Sequence, residues 1–224
     1  MTRTKLFLSA VVKYLMGILF FGVMLFLPAG TLNFPGGWLL MGTLMLPMLV
    51  MGIVMFFKAP ALLEKRLDPR EKQTAQKGVI GFSALMFLAV FILAGLDFRF
   101  GWSQLPIWVK IAAAVLLLIA YTLYAEVLRE NAYLSRTIEV QEGQTVVSTG
   151  LYGIVRHPMY AVTLLLFAMM PLMLGSLPAL AVMVIYPILI VVRILDEEKL
   201  LTKELQGYAD YKKKVKYRLI PFIW

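Results

Sequence analysis

The sequence has no cysteine, and His157 is its single histidine. Without cysteine there can be no disulfide, no cysteine-ligated zinc and no thiol nucleophile. One histidine cannot supply the several imidazoles that most zinc enzymes place around their metal. If the chain is an enzyme, its chemistry must come from other side chains and from a bound cofactor that supplies the reactive group.

Charged residues are also scarce. They make up 16% of the 224 residues, whereas 61% are hydrophobic, and the mean hydropathy is +0.81. A soluble domain has about 25% charged residues and about 45–50% apolar ones. The chain lacks the polar residues to cover a surface that faces water, which predicts a membrane protein.

Six apolar stretches approach the roughly 20 helical residues needed to cross a bilayer core. The first lacks the small-residue cleavage site of a signal peptide, so it is interpreted as a span. The stretches are Leu6–Leu27, Trp38–Phe57, Val79–Leu96, Ile107–Val127, Met159–Leu174 and Leu177–Ile194. They predict an all-α polytopic membrane bundle of about six transmembrane helices, with a C-terminal helical hairpin turning at Gly175 and Ser176 and a cytoplasmic amphipathic tail.

Residues 1–125 have the character of a four-helix scaffold, and residues 126–224 carry the polar residues suited to chemistry. Within the scaffold, glycines inside a transmembrane helix usually allow neighbouring helices to approach closely. Such close packing is expected at Gly17, Gly22, Gly42 and Gly52.

The net charge of +9 comes from 22 lysines and arginines against 13 acidic residues. With the N-terminus inside the cell, twenty of the basic residues lie on the cytoplasmic side and only Arg99 and Lys110 lie outside. Basic residues in short loops stay cytoplasmic, so both termini are predicted to be cytoplasmic, in the inner membrane of a prokaryote. The lysines of residues 212–216 would rest on anionic lipid headgroups.

Polar residues form two clusters. Arg156, His157 and Tyr160 surround the start of the fifth span, where Pro158 suits the first helical turn. Arg193 and Glu197 share a face of the sixth span. The hairpin makes these helices antiparallel neighbours, so the two clusters are expected to meet at the cytoplasmic face. The turn-rich run of residues 142–150 predicts an extended loop before them.

Two motif classes are missing. The sequence has neither the glycine-rich fingerprint of dinucleotide-binding folds nor a phosphate-binding loop. Any cofactor must therefore be held by the membrane helices and their loops. No predicted span carries an ionisable residue near its centre, which argues against a transporter.

The polar residues of the C-terminal part form a series of short motifs. In chain order they are a Gly-x-Tyr, an Arg-His-Pro-x-Tyr, an arginine followed by paired acids, a Tyr-x-x-Tyr and a basic stretch ending in Ile-Pro. Here they are Gly150, Tyr152, Arg156, His157, Pro158, Tyr160, Arg193, Glu197, Glu198, Tyr208, Tyr211, Arg218 and Pro221. Over residues 126–224 the chain resembles the isoprenylcysteine carboxyl methyltransferase family, which is related to the phospholipid N-methyltransferases.

Two positions depart from the family pattern. Ala161 and Val162 stand where a glycine commonly follows the motif tyrosine, and Leu205 to Tyr208 replace the usual Phe-Gly before the tyrosine pair. The second departure shifts the register by about one residue, which leaves open whether Glu197 or Glu198 binds the cofactor.

The resemblance implies an integral membrane methyltransferase that uses S-adenosylmethionine and methylates a lipophilic or lipid-like acceptor, on a carboxylate oxygen or an amine. Glu197 or Glu198 would bind the cofactor's ammonium, Arg193 would orient the acceptor, and His157 or Glu198 would take the proton of an amine. The resemblance implies no metal and no nucleic-acid partner. Membrane lipids are expected to contact the protein. The remaining implied cofactor-binding residues are Gln144, Thr145, Val146, Val147, Tyr152, His157, Pro158, Met159 and Tyr160.

Two alternatives remain. Membrane sterol reductases share a His-Pro-x-Tyr and an ending like that of residues 217–221, and they would bind NADPH in the same pocket. A small transporter or structural membrane protein would use no cofactor. The arrangement of Arg193 with the paired acids favours the methyltransferase.

Overall fold

The computed structural model describes residues 2–67, 74–134 and 140–224. Arg70, Lys72 and Arg136, which belong to the predicted cytoplasmic charge, lie outside the described residues. Within the described ranges there are nine α-helices, one 3-10 turn and no strand. They are α1 (Arg3–Ala29), α2 (Pro35–Lys58), α3 (Pro60–Leu67), α4 (Thr74–Phe100), α5 (Ile107–Glu130), the 3-10 turn (Gly150–Gly153), α6 (Pro158–Leu174), α7 (Leu177–Met183), α8 (Tyr186–Glu204) and α9 (Tyr208–Lys214).

Five segments are long and apolar enough to cross a membrane: Arg3–Ala29, Pro35–Lys58, Gly78–Phe100, Ile107–Glu130 and Leu177–Glu204. The 17-residue α6 is apolar but shorter. All six predicted apolar stretches lie in helices, so the prediction of an all-α polytopic bundle is confirmed.

The last predicted span differs from the structure in two ways. It consists of two helices, α7 and α8, because Pro187 in the first turn of α8 cannot donate the backbone hydrogen bond that would continue α7. It also extends ten residues beyond Ile194, to Glu204. Arg193, Glu197 and Glu198 therefore all lie on α8, in agreement with the predicted shared helix face of Arg193 and Glu197.

The chain reverses at Gly175, which has φ +78° and ends α6. Its N–H bonds to Leu172 and Pro171 carbonyls, and the Ser176 N–H also bonds to Pro171, an arrangement typical of glycine-terminated helices. The Ser176 hydroxyl then accepts a hydrogen bond from the Ala179 N–H and caps α7. These local interactions produce the predicted hairpin.

The prediction about the glycines is wrong. A Cβ on Gly17, Gly22, Gly42 or Gly52 would meet nothing within 4 Å. The close approach occurs at another glycine, Gly95 of α4, where a Cβ would lie 2.8 Å from the Leu25 carbonyl oxygen of α1.

The main packing partners are α5 with α6, α1 with α4, and α4 with α7. Their contacts bury a continuous apolar core that runs from Leu25 in α1 to Ile194 in α8. Large apolar side chains on the outer faces of α1, α2 and α5 are exposed, as at Leu19 and Trp108. Exposed apolar side chains of this extent match a surface that contacts lipid.

The bundle has two chemically different ends. At one end, Lys110 reaches the chain reversal at Gly175, and Arg99 lies beside Gly30. At the other end, Lys13 of α1 donates a hydrogen bond to the carbonyl of Leu67 at the end of α3. This second end, which we call the site end, also carries the loop of residues 140–149, the start of α6, and α9.

Candidate active site

A cavity lies at the site end, where α6 begins. It encloses about 540 Å³ of space, part of which is open to solvent. Nine of the residues that the sequence predicted for the site line this cavity: Gln144, Thr145, Val146, Val147, Tyr152, His157, Met159, Tyr160 and Glu197. Three further predicted site residues, Pro158, Glu198 and Arg193, do not line it. The structure thus brings most of the predicted site residues together.

The start of α6 positions the first group of side chains. His157 is the N-cap residue of the helix and Pro158 occupies its first turn, as the sequence predicts. The backbone N–H groups of Arg156 and His157 donate to the carbonyls of Tyr217 and Arg218, each at 2.9 Å. The C-terminal segment therefore holds the residues that precede α6.

Glu198 contacts three basic side chains and is 3% exposed. Its Oε1 accepts a hydrogen bond from Arg156 Nε at 2.6 Å and lies 3.4 Å from His157 Nε2. Its Oε2 accepts from Arg218 Nε at 3.0 Å. A buried carboxylate paired with two guanidinium groups in this way is compensated within the protein. Glu198 therefore joins α8 to α6 and to the C-terminal segment.

Arg156 extends this connection. Besides its bond to Glu198, its Nη1 donates to the carbonyls of Val215 at 2.8 Å and Lys216 at 2.9 Å. Arg156 is 7% exposed and lines the cavity. One guanidinium thus crosslinks the start of α6, α8 and the segment after α9.

Glu197 has a different environment. It lines the cavity, and its Oε2 accepts a hydrogen bond of 2.7 Å from the hydroxyl of Tyr160. The same tyrosine also has a hydrogen-bond contact with Arg193. Tyr160 therefore places Arg193 next to Glu197 at the cavity edge. Of the two carboxylates that the sequence left unresolved, Glu197 is the one that faces the cavity.

Six lining residues were not predicted as site residues: Asn131, Leu134, Leu201, Leu205, Tyr208 and Tyr211. Leu201 follows Glu197 by four residues on one face of α8, and Leu205, four residues further, is the C-cap of that helix. Helical spacing could therefore have found both leucines. Tyr208 and Tyr211 belong to the motif that carries the resemblance. Asn131 ends α5 and has no comparable sequence signal.

The tyrosines form a connected group. The Tyr152 hydroxyl accepts from Asn131 Nδ2 at 3.0 Å, and the Tyr211 hydroxyl donates to the Tyr152 carbonyl at 2.7 Å. Burial raises the pKa of Tyr211 to about 12 and raises the pKa of Tyr152 above its ordinary value. Both side chains therefore remain neutral hydroxyls near pH 7.

The loop that carries Gln144 to Val147 is tied to the scaffold. The Gln141 N–H donates to Gln144 Oε1 at 2.8 Å, and Lys65 of α3 donates to the side-chain oxygen of Gln141. Residues 140–149 form no helix, as predicted, and α3 holds this loop in place from the scaffold side.

Residues 108–203 match the family model of the isoprenylcysteine carboxyl methyltransferase (ICMT) family. The matched segment runs from the start of α5 to the end of α8 and contains most of the cavity lining. The match covers less than half of the chain, and over this segment the protein is similar to the isoprenylcysteine carboxyl methyltransferase family. The match and the apolar helices indicate a membrane methyltransferase and favour it over the sterol-type reductase and the transporter.

The fold agrees with this similarity. The structure is similar to that of the eukaryotic intramembrane Ras methyltransferase ICMT, with a TM-score of 0.54 and 18% sequence identity. The similarity covers 98% of this chain and 85% of that one. No curated protein matches the chain. The ICMT-type fold therefore extends over the scaffold helices as well as over the segment that the family model matches.

Proposed function

We propose that this methyltransferase transfers a methyl group from S-adenosylmethionine to the carboxylate of a lipophilic, lipid-like acceptor at the cytoplasmic membrane face. The observation that carries the proposal is the pair formed by Glu197 and Arg193 around Tyr160 at the edge of the cavity. A carboxylate suits a cationic cofactor, and a guanidinium beside it suits an anionic acceptor.

The chemistry of the lining fits the cofactor. S-adenosylmethionine carries an ammonium, a sulfonium, a ribose and an adenine ring. Glu197 would bind the ammonium by a charge-assisted hydrogen bond, and the ring of Tyr152 offers a π face to the sulfonium. Leu201 and Leu205 provide apolar surface for the adenine, and Asn131 provides an amide for its polar edge.

When bound, S-adenosylmethionine supplies a methyl group on a positively charged sulfur, which an oxygen or nitrogen nucleophile can displace. The protein's part is to hold the acceptor in line with that methyl group, since orientation alone can account for much of such an acceleration. Arg193 would do so by binding the acceptor carboxylate, and Tyr160 keeps Arg193 in place relative to Glu197.

Arg193 supports a carboxylate acceptor over an amine. Arginine binds carboxylates through two parallel hydrogen bonds, which fixes their orientation, whereas it repels a protonated amine. A carboxylate is also its own nucleophile and has no proton to lose. An amine acceptor would need a base, and His157 beside Glu198 is the imidazole that could serve.

The cofactor assignment can be tested by calorimetry of the purified protein with S-adenosylmethionine. Glu197→Gln should lower the affinity about tenfold or more, since it removes the partner of a charged group. Asp196→Asn is the matched control, because it removes one negative charge from the preceding position of α8, where the side chain pairs with Lys199 and does not line the cavity. Equal affinities in all three proteins, or no binding by the wild type, would contradict the proposal.

The acceptor can be tested with S-adenosylmethionine labelled in its methyl group. An S-prenylated cysteine with a free carboxylate should become labelled, and alkali should release the label as methanol because the product is an ester. An acceptor with an amine headgroup, such as phosphatidylethanolamine, tests N-methylation, which alkali does not reverse. Alkali-stable label would favour the amine acceptor and count against the role of Arg193.

A further inference from the structure

Tyr208 is the first residue of α9 and lies deep in the site end. It is 3% exposed and packs with Leu201, Leu205, Tyr211 and Val215. It also lines the cavity. Its side chain thus belongs both to the apolar cluster under α9 and to the wall of the proposed cofactor pocket.

The hydroxyl of Tyr208 makes no hydrogen bond to the part of the chain that the structure describes, although it is fully buried. The neighbouring hydroxyls differ: those of Tyr152, Tyr160 and Tyr211 each have a partner. Burying a hydroxyl without a partner costs stability, and buried polar groups are nearly always paired. Because Tyr208 lines the cavity and its hydroxyl has no partner among the described residues, the cavity's occupant is the candidate partner.

The charges around this hydroxyl indicate the kind of partner. Burial raises the pKa of Tyr208 above its ordinary value, and the negative charges of Glu198 and Glu197 raise it further. The positive charge of Arg156 lowers this pKa, but by less. The side chain therefore stays a neutral hydroxyl, with lone pairs free to accept, near two carboxylates. A cationic hydrogen-bond donor is the group that such surroundings favour.

An ammonium group has three N–H donors. These donors point in diverging directions, so one carboxylate cannot face all three, and the Oε2 of Glu197 already accepts a hydrogen bond from Tyr160. We infer that the hydroxyl oxygen of Tyr208 accepts a hydrogen bond from the ammonium group of the bound methyl donor and shares that cation with Glu197. This inference rests on the proposed use of S-adenosylmethionine and adds a cofactor-binding residue from α9.

The test compares two ligands on two proteins. S-adenosylhomocysteine carries the ammonium, and its deaminated analogue, 5′-(3-carboxypropyl)thioadenosine, lacks it. Tyr208→Phe should weaken S-adenosylhomocysteine binding about tenfold, the size expected for a hydrogen bond to a charged group. The same substitution should leave the affinity for the deaminated analogue unchanged. Equal losses for both ligands, or no loss for either, would overturn the inference.

Thermal unfolding of the ligand-free proteins gives a second readout. Tyr208→Phe should unfold at the wild-type temperature or above it, because it removes an unpaired buried hydroxyl. Tyr211→Phe is the matched control and should unfold at a lower temperature, because it takes the donor from the Tyr152 carbonyl. A loss of stability in Tyr208→Phe as large as that in Tyr211→Phe would mean that the hydroxyl has a partner within the protein, which contradicts the inference. If the wild type binds no S-adenosylhomocysteine, the proposed function itself fails.

Discussion

Glu197 and Glu198 are adjacent in the sequence, yet their carboxylates point into different surroundings. Successive residues of an α-helix are rotated by about 100°. On α8 this turns Glu197 toward the cavity and Tyr160, and turns Glu198 toward Arg156, His157 and Arg218. One carboxylate remains available to a ligand, while the other neutralises buried cations and holds the site together.

The different environments predict different consequences of removing each charge. Glu198→Gln should destabilise the protein by about 3 kcal/mol or more, because breaking a buried ion pair leaves the remaining charge uncompensated. Here Arg156, which is 7% exposed, would lose the negative charge that lies 2.6 Å from its Nε. The loss should appear as a lower unfolding temperature of the protein in detergent micelles.

Glu197→Gln is the matched comparison for stability, since a glutamine oxygen can still accept the hydrogen bond from Tyr160. It should unfold close to the wild-type temperature. If Glu198→Gln proves as stable as Glu197→Gln, the buried cluster does not hold the site end together in the way the contacts suggest.

Among the helices, the close contact between α1 and α4 depends on one glycine. Gly95 is buried, and a Cβ there would lie 2.8 Å from the Leu25 carbonyl oxygen and 2.8 Å from the Pro28 Cβ. Backbone atoms cannot move aside as the end of a flexible side chain can. The two helices approach this closely because position 95 has no side chain.

Gly95→Ala should therefore force α1 and α4 apart and destabilise the bundle by about 2 kcal/mol, within the usual range for overpacking. Gly22→Ala is the control, because a Cβ at this position of α1 meets nothing within 4 Å. Alanine there should be neutral or slightly stabilising, since it is the better helix former. Unfolding temperatures of the two variants measure the difference, and equal values would contradict the proposed contact.

The bundle as a whole separates its charges between two ends. Arg99 and Lys110 lie at the end that carries Gly30 and the hairpin turn. The lysines of α9 and the cavity lie at the site end. The distribution of basic residues predicts that the site end is cytoplasmic, where a water-soluble cofactor could reach the cavity.

This orientation can be measured directly, since the chain has no cysteine to give background labelling. A single cysteine at exposed Lys214, near the cavity, should react with a membrane-impermeant maleimide only after the cells are opened. A cysteine at exposed Gln104, at the opposite end, should react in intact cells. The reverse pattern would place the cavity outside the cell and contradict the predicted orientation.

Much of the site could be predicted because its signals are local. Pro158 after His157 marks the first turn of α6, and Gly175 with Ser176 marks the reversal that brings α8 back beside it. These short-range features are enough to place Arg156 and Glu197 at the same end of the bundle. The contributions of Asn131 and Tyr208 were missed, because each comes from an element whose position depends on distant contacts.

The apolar stretches, the hairpin and the separation of charges follow from the sequence, because hydrophobic length, helix capping and loop charge act over a few residues or between chain and membrane. The scarcity of histidine and cysteine likewise limits the chemistry without reference to any fold. Packing of the folded chain decided the rest. Glu197 and not Glu198 faces the cavity, and Gly95 and not Gly22 lies against another helix. Tyr208 lines the cavity, and its hydroxyl is buried. These outcomes depend on how each helix is rotated about its axis and on where the C-terminal segment docks, and no local pattern specifies either.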